Sequence, residues 1–333
     1  MTSGQRRLSA VATAAVVVAL SAACGGTNTT TSAGEGTATA SQGTGAAAEL
    51  AGQVKVDGSS TVAPLTSAAA EFFSEEQPKV NVTVGTSGTG GGFEKFCNGE
   101  TDIADASRPI KDEEKAACEA KGIKFTELTV ATDALTVVVN KENTWAKCLT
   151  TDQLKKMWEP GAEGKITSWK QVDAKFPDEP LKLFGPGTDS GTFDYFTDEI
   201  NGEEGASRKD YSPSEDDNVI VQGVTGSKGG LGYFGFTYFE ENADKLMAVE
   251  IDSGKGCVAP SAATAQDGTY TPLSRPLFIY PSAAAAKRPE VAAFLDYFIS
   301  NDNKIATDAK YIPLNSEQQA KLKADLATLK SQA

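Results

Sequence analysis

Four times along this chain, a short apolar run ends in hydroxyl residues, three times with glycine among them, and then passes into a helical pattern. The fullest instance is residues 184–192, FGPGTDSGT, which follow Leu181 and Leu183 and lead into FDYFTDEI, with Phe193, Phe196 and Ile200 on one helical face. The others are residues 58–61 (GSST), 85–92 (GTSGTGGG) and 106–109 (ASRP). Strands that repeatedly hand over to helices imply an α/β fold with mostly parallel sheets. The first turn of a helix carries backbone N–H groups without internal partners, and its dipole adds partial positive charge there. With hydroxyl donors beside it and a glycine that admits close approach, such a junction can seat a small anion.

Composition makes that reading useful. The 333 residues carry a formal net charge of −14, so the basic footprint of a nucleic-acid binder is absent. An acidic protein that holds an anion must do so with local dipoles and an occasional buried cation. There is no histidine. That removes Ser-His-Asp hydrolysis, Cys-His proteolysis and His-ligated zinc together. No catalytic set, no cofactor and no metal site is expected.

Residues 1–23 read as an export signal: Arg6 and Arg7, an apolar run over 11–20, then small residues before Cys24. This resembles a bacterial lipoprotein signal, which implies acylation of Cys24 and a lipid anchor. Export would remove two arginines and no acid, leaving the mature chain more acidic still. Residues 24–51 are mostly Gly, Thr, Ser and Ala and cannot bury enough apolar surface to fold. They read as a tether with a reach of roughly 30 Å. Beyond it lie Cys97, Cys118, Cys148 and Cys257. An even count in an oxidising compartment suggests two disulfides, with three possible pairings.

The periodicity places strands over 54–56, 80–84, 124–130, 135–140, 231–239, 246–251 and 277–280. Helices are expected over 112–121, 150–158, 216–224, 289–299 and 316–329, and a first helix carries Val62, Leu65, Ala69, Phe72 and Phe73 on one face. Trp145, Trp158 and Trp169 are read as core rather than as a partner surface.

At the junctions, Ser60 and Thr61 open a helix in which Pro64 suits the first turn. The five glycines of 85–92 expose consecutive N–H groups beside the hydroxyls of Ser87 and Thr89, with a helix starting at Phe93. The spacing is not that of a Walker phosphate loop. Pro109 drives Arg108 into an extended conformation, from which its planar fork can meet an oxyanion beside Ser107. Ser190 or Thr188 can cap the helix after the fourth junction, and Ser190, Gly191 and Thr192 face its ligand.

The stretches VDGSSTVAPL, GTSGTGGGF with TDIADASRPI, and GTDSGTFDYF together resemble the PstS family, the phosphate-binding lipoproteins of the high-affinity phosphate ABC transporter. The resemblance spans most of residues 52–333. It implies a two-lobed periplasmic-binding-protein fold of type II, in which two α/β lobes joined by two crossing strands close over phosphate. Lobe I is then 52–134 plus 276–333 and lobe II is 135–275. It further implies a phosphate site of Ser60, Thr61, Ser87 or Thr89, Ser190, Gly191 and Thr192, to which the turn at 106–109 adds Ser107 and Arg108, and a monomer that delivers phosphate to ABC permease subunits outside the cytoplasm. Pairing Cys97 with Cys118 and Cys148 with Cys257 keeps each disulfide inside one lobe. The best-known branch of the family has an arginine where this chain has Pro186, and a proton-accepting aspartate where this chain has Ser107. Arg108 is the expected replacement cation, and Asp189 or Asp57 the expected proton acceptor. The alternatives are a binder of sulfate or molybdate and an extracellular phosphatase, the latter short of a base without histidine.

Overall fold

The computed structural model describes residues 50–332. The expected signal, Cys24 and all but the last two residues of the expected tether lie outside the described residues. The strands are β1 Ala51–Gly58, β2 Lys79–Gly85, β3 Ile103–Ala106, β4 Leu128–Asn140, β5 Cys148–Thr150, β6 Lys182–Gly185, β7 Ser212–Pro213, β8 Gly230–Gly235, β9 Leu246–Ala248, β10 Glu250–Asp252, β11 Cys257–Val258 and β12 Ser274–Pro281. The first six helices are α1 Ala63–Glu76, α2 Gly88–Cys97, α3 Asp112–Ala120, α4 Thr151–Trp158, α5 Trp169–Val172 and α6 Gly191–Phe196. Then come α7 Asp217–Thr225, α8 Phe236–Glu241, α9 Ala262–Gln266, α10 Pro289–Ser300, α11 Asp302–Asp308 and α12 Ser316–Gln332.

One large sheet runs in the order β2-β1-β3-β12-β4-β8-β6-β7, with β9 also on β4; a second holds β11-β10-β5. Strand β1 lies parallel to β2 and β3, and β6 lies parallel to β7 and β8. Around β4 and β12, however, every pairing is antiparallel. The sheet is therefore mixed rather than mostly parallel. A chain that leaves one half of the molecule and later returns must run in opposite directions at the two crossings.

Strand β4 is the spine, buried at every position but Thr129. Its first part pairs with β12 and its second part, Leu135–Val139, pairs with β8. Leu128, Val130 and Ala131 enter one core with Val54, Leu65, Phe73 and Phe294. Leu135, Val137 and Val139 enter another with Trp158, Trp169, Phe196 and Tyr233. One almost fully buried strand thus feeds both cores, with Thr132, Asp133, Thr136 and Asn140 buried along it beside the apolar residues. The expected division into strands over 124–130 and 135–140 is replaced by this single strand.

Two further expectations change. Residues 236–239 are helical: the ladder of β8 ends at the Leu135–Gly235 pair, beyond which β4 pairs with β12 from Ala134. The glycine run is also helical: α2 begins at Gly88, not at Phe93. The reason is packing. A Cβ on Gly92 would stand 2.5 Å from Gly58 Cα, so this glycine lets α2 lie directly on the end of β1.

The disulfides are Cys97–Cys118, tying α2 to α3, and Cys148–Cys257, joining β5 to β11, with Cα separations of 4.3 and 6.0 Å. The tryptophans are core residues: Trp145 meets Trp169 edge-on at 5.8 Å, and Trp158 packs against Phe196 at 5.6 Å. Phe196 also stacks on Tyr233 at 3.8 Å, which anchors α6 to β8. Among the described residues, no helix is long and apolar enough to cross a membrane.

Candidate functional site

Between the two cores lies a cleft of about 680 Å³. Three turns from one side line it: Ser59–Thr61 after β1, Gly88–Gly90 at the start of α2, and Ser107–Pro109 after β3, with Lys111 beyond. From the other side come Gly191, Asp194 and Tyr195 of α6, then Asp198, Glu199 and Glu204. Arg275 and Pro276 of β12 close the floor.

The first turn is set by a backbone contact that only glycine allows. Gly58 sits at φ +150°, and a Cβ there would fall 2.0 Å from the carbonyl oxygen of Asp105. That same carbonyl accepts the Ser59 N–H at 2.9 Å, locking the turn to β3. Ser59 Oγ accepts the Thr61 N–H at 3.2 Å, and the Ser59 carbonyl accepts the Val62 N–H at 3.1 Å and the Ala63 N–H at 3.0 Å. Ser60 is exposed at the lip, and among the described residues neither its N–H nor its hydroxyl has a protein partner. Thr61 is held from two sides: its Oγ1 accepts from Arg275 at 3.1 Å, and its carbonyl accepts the Tyr311 hydroxyl at 2.7 Å.

The second and third turns meet. Thr89 Oγ1 lies 3.1 Å from Ser107 Oγ and accepts the Ser107 N–H at 3.2 Å. Ser87 instead turns away from the cleft: its hydroxyl and N–H both donate to Asp57, at 2.5 and 3.1 Å. Of the two hydroxyls expected from the glycine run, Thr89 is therefore the one at the cleft. Asp57 is also bonded to Lys95 Nζ at 2.6 Å. Partial burial works upward on the Asp57 pKa, but the hydrogen bonds from Lys95 and Ser87 outweigh it and hold the carboxyl below its ordinary range. Asp57 is thus committed to Lys95 and does not face the cleft, against the expectation that it accepts a ligand proton. Asp189 is exposed and outside the cleft lining as well.

At the fourth turn the expected cluster divides. Ser190 Oγ accepts the Thr192 N–H at 3.2 Å, so Ser190 is the cap of α6, and neither it nor Thr192 lines the cleft. Gly191 does, and a Cβ there would stand 3.0 Å from Thr61 Oγ1 and 3.8 Å from Ser60 Oγ. The two sides come within contact distance where this residue has no side chain.

Arg108 lines the cleft, but its fork is occupied. It pairs bidentately with Glu114 at 2.8 and 2.7 Å and also donates to the Pro109 carbonyl. Partial burial works upward on Glu114, yet these bonds prevail and hold its carboxyl below its ordinary range.

The sequence reading missed several residues of the cleft. Arg275 bonds Thr61, pairs with Asp133 at 3.3 Å and lies 3.6 Å over the ring of Tyr195. A signal for it existed: Ser274-Arg275-Pro276 repeats the Ser-Arg-Pro of 107–109. Asp194 and Glu199 were also missed, and burial raises both their pKa values, with Glu204 and Asp198 respectively adding to the effect. Beneath the first turn, Asp105 is fully buried and pushed up to about 8 by burial, in spite of a 2.8 Å hydrogen bond from Thr66. Its Oδ1 has no partner.

A model of a PBP superfamily domain matches residues 30–302. A protein SphX from Synechococcus elongatus is 51% identical over 262 residues, 78% of this chain and 77% of its own length. A phosphate-binding protein PstS from Staphylococcus haemolyticus is 42% identical over 266 residues, 79% of this chain and 82% of its own length. The crystal structure of a possible phosphate binding protein from Planctomyces limnophilus superposes with a TM-score of 0.80 at 48% identity, covering 84% of this chain and 99% of that one.

Proposed function

This chain belongs to the PstS family of the PBP superfamily, and from that premise we propose that it captures inorganic phosphate in the cleft and passes it to an ABC permease. The observation that carries the reading is the convergence of Ser60, Thr61, Thr89 and Ser107 from one side with Gly191 from the other on one cavity. Hydrogen bonds to a charged acceptor contribute roughly 1.5–3 kcal/mol each. A tetrahedral oxyanion that engages several of these donors offsets the cost of association and reaches micromolar affinity or better.

In this reading the hydroxyls and free N–H groups of the first three turns bind the anion, and α6 closes over it. Ser190 contributes by capping α6 and Thr192 by its place in that first turn. The boundary of the two lobes falls within β4, near residue 134. Arg108 adds positive potential at the rim, moderated by Glu114. No bond is made or broken. Relatives in the family carry names of binding proteins. Acylation of Cys24 tethers the protein outside the cytoplasm, and it acts there as a monomer.

Calorimetry of the full chain with phosphate and sulfate at pH 6 and pH 8 tests the function. Phosphate-selective binding that persists at pH 8 is expected. Preference for sulfate transfers the site to another oxyanion, and binding of neither anion ends the reading. Loss of lipid labelling on Cys24→Ser tests the anchor.

A further inference from the structure

Two arginines line the cleft, and their hydrogen bonds separate them. A guanidinium has five N–H groups in a rigid plane. Arg108 gives two of its bonds to the carboxylate of Glu114 and one to the Pro109 carbonyl, so both its charge and its fork are matched by the protein. Arg275 gives one N–H to Asp133, at 3.3 Å, and one to the neutral hydroxyl of Thr61, at 3.1 Å. The other three have no protein acceptor among the described residues, although the side chain is mostly buried. A guanidinium in such a place is short of acceptors.

The surroundings of Arg275 fix its plane. The Tyr195 ring lies 3.6 Å beneath it, and the Tyr195 hydroxyl is itself tied to the Pro272 carbonyl at 2.6 Å. Asp133 stands directly opposite Arg275 in the pairing of β4 with β12. The side chain therefore rises from the crossing strands and touches Thr61 on one side of the cleft and Tyr195 on the other. An anion lodged at Thr61 lies beside the unmatched edge of the guanidinium.

We propose that Arg275, rather than Arg108, is the charge partner of the bound anion, with Asp133 and Tyr195 holding its open edge toward the cleft. This role rests on the phosphate-binding reading above. A planar fork held in this way suits two oxygens of one tetrahedral anion. Because Arg275 contacts both sides of the cleft, its engagement by a ligand also bears on how tightly the two sides meet.

The test is titration of the full chain with inorganic phosphate, beside Arg275→Gln, Arg275→Lys and Arg108→Gln. The expected losses are about 100-fold for Arg275→Gln and about tenfold for Arg275→Lys, because a partly buried charge contact is removed or reduced to a point charge. Arg108→Gln is expected to lose no more than about threefold. Unchanged affinity in Arg275→Gln, equal losses in its two variants, or a greater loss in Arg108→Gln overturns the assignment. Failure of the unsubstituted chain to bind phosphate strikes the functional reading instead. A second measurement separates contact from mere support of Thr61. In nitrogen-15-labelled protein, the Arg275 side-chain N–H resonances shift on addition of phosphate. If they stay fixed while the Thr61 amide moves, Arg275 is a support only. That measurement and Arg275→Lys carry the test should Arg275→Gln fail to fold.

Discussion

The two walls of the cleft are built on opposite plans. The wall made by the β1, α2 and β3 turns is rich in donors: Ser60, Thr61, Thr89 and Ser107 all present hydroxyls or amides there. The wall made by α6 and the turn after it offers one glycine and four carboxylates, Asp194, Asp198, Glu199 and Glu204. An anion is attracted to the first wall and repelled by the second. Fitting between them then requires contact distances short enough for the donors to prevail, which is what the bare backbone at Gly191 permits. The acids differ in the same way. Asp105 supports the donor wall from within the core, whereas the carboxylates of the other wall border the cavity itself.

The broadest consequence of this asymmetry concerns pH and stability. Asp105 has a folded pKa of about 8 against an ordinary 3.8, so the folded state holds its proton more tightly. Its contribution to stability is fully present below pH 3.8 and is lost as pH rises through about 8. The urea midpoint is expected to fall over that window by an amount equivalent to several kcal/mol. Asp105→Asn, which keeps an acceptor for Thr66, should flatten that fall. An unaltered profile would show that the buried acid is not what the donor wall titrates with.

Next in size is closure. Gly191→Val places a branched side chain where even a Cβ lies 3.0 Å from Thr61 Oγ1. Phosphate affinity should drop by about 100-fold, the cost of a misfit where the two walls meet. The thermal midpoint should stay within a few degrees, because Gly191 lies at the cleft and not in either core. An affinity equal to that of the unsubstituted protein would mean the two walls never need to meet here.

Thr61→Val tests one donor of the first wall. It removes the hydroxyl that accepts from Arg275 at 3.1 Å, and calorimetry should read about a tenfold loss of phosphate affinity. The smallest effect belongs to the second wall. Asp194→Asn combined with Glu199→Gln removes two carboxylates, and phosphate should bind about threefold more tightly at pH 8. The gain should shrink as pH falls toward their raised pKa values. Weaker binding in this variant would instead make the acids acceptors of a proton on the ligand.

The donor wall was largely legible in the sequence, because turn chemistry is local. Gly58, Ser60, Thr61 and Ser107 act within a few residues of where a strand ends. Capping by Ser190 is equally local, and it explains why only Gly191 of that cluster reaches the cleft. The glycine run misled for a related reason. Its residues read as a loop when taken alone, but the run is helical and its Gly92 packs α2 closely on β1, a contact made with Gly58 and Asp57 far earlier in the chain. Asp57 seemed available until Lys95 and Ser87 folded onto it.

By itself, the order of residues determined the alternation of strands and helices, the turns that end in hydroxyls and glycine, and the exclusion of histidine chemistry. These depend on backbone preferences and periodicities that extend over a few neighbours. Only the tertiary structure decided which arginine is matched and which is left short of acceptors. It also decided which acid is buried and that one strand serves two cores. The partners responsible stand 142 positions apart for Arg275 and Asp133 and 214 for Arg275 and Thr61. Charge and hydrogen bonding act through space at a few ångströms, and only folding brings those positions within that range.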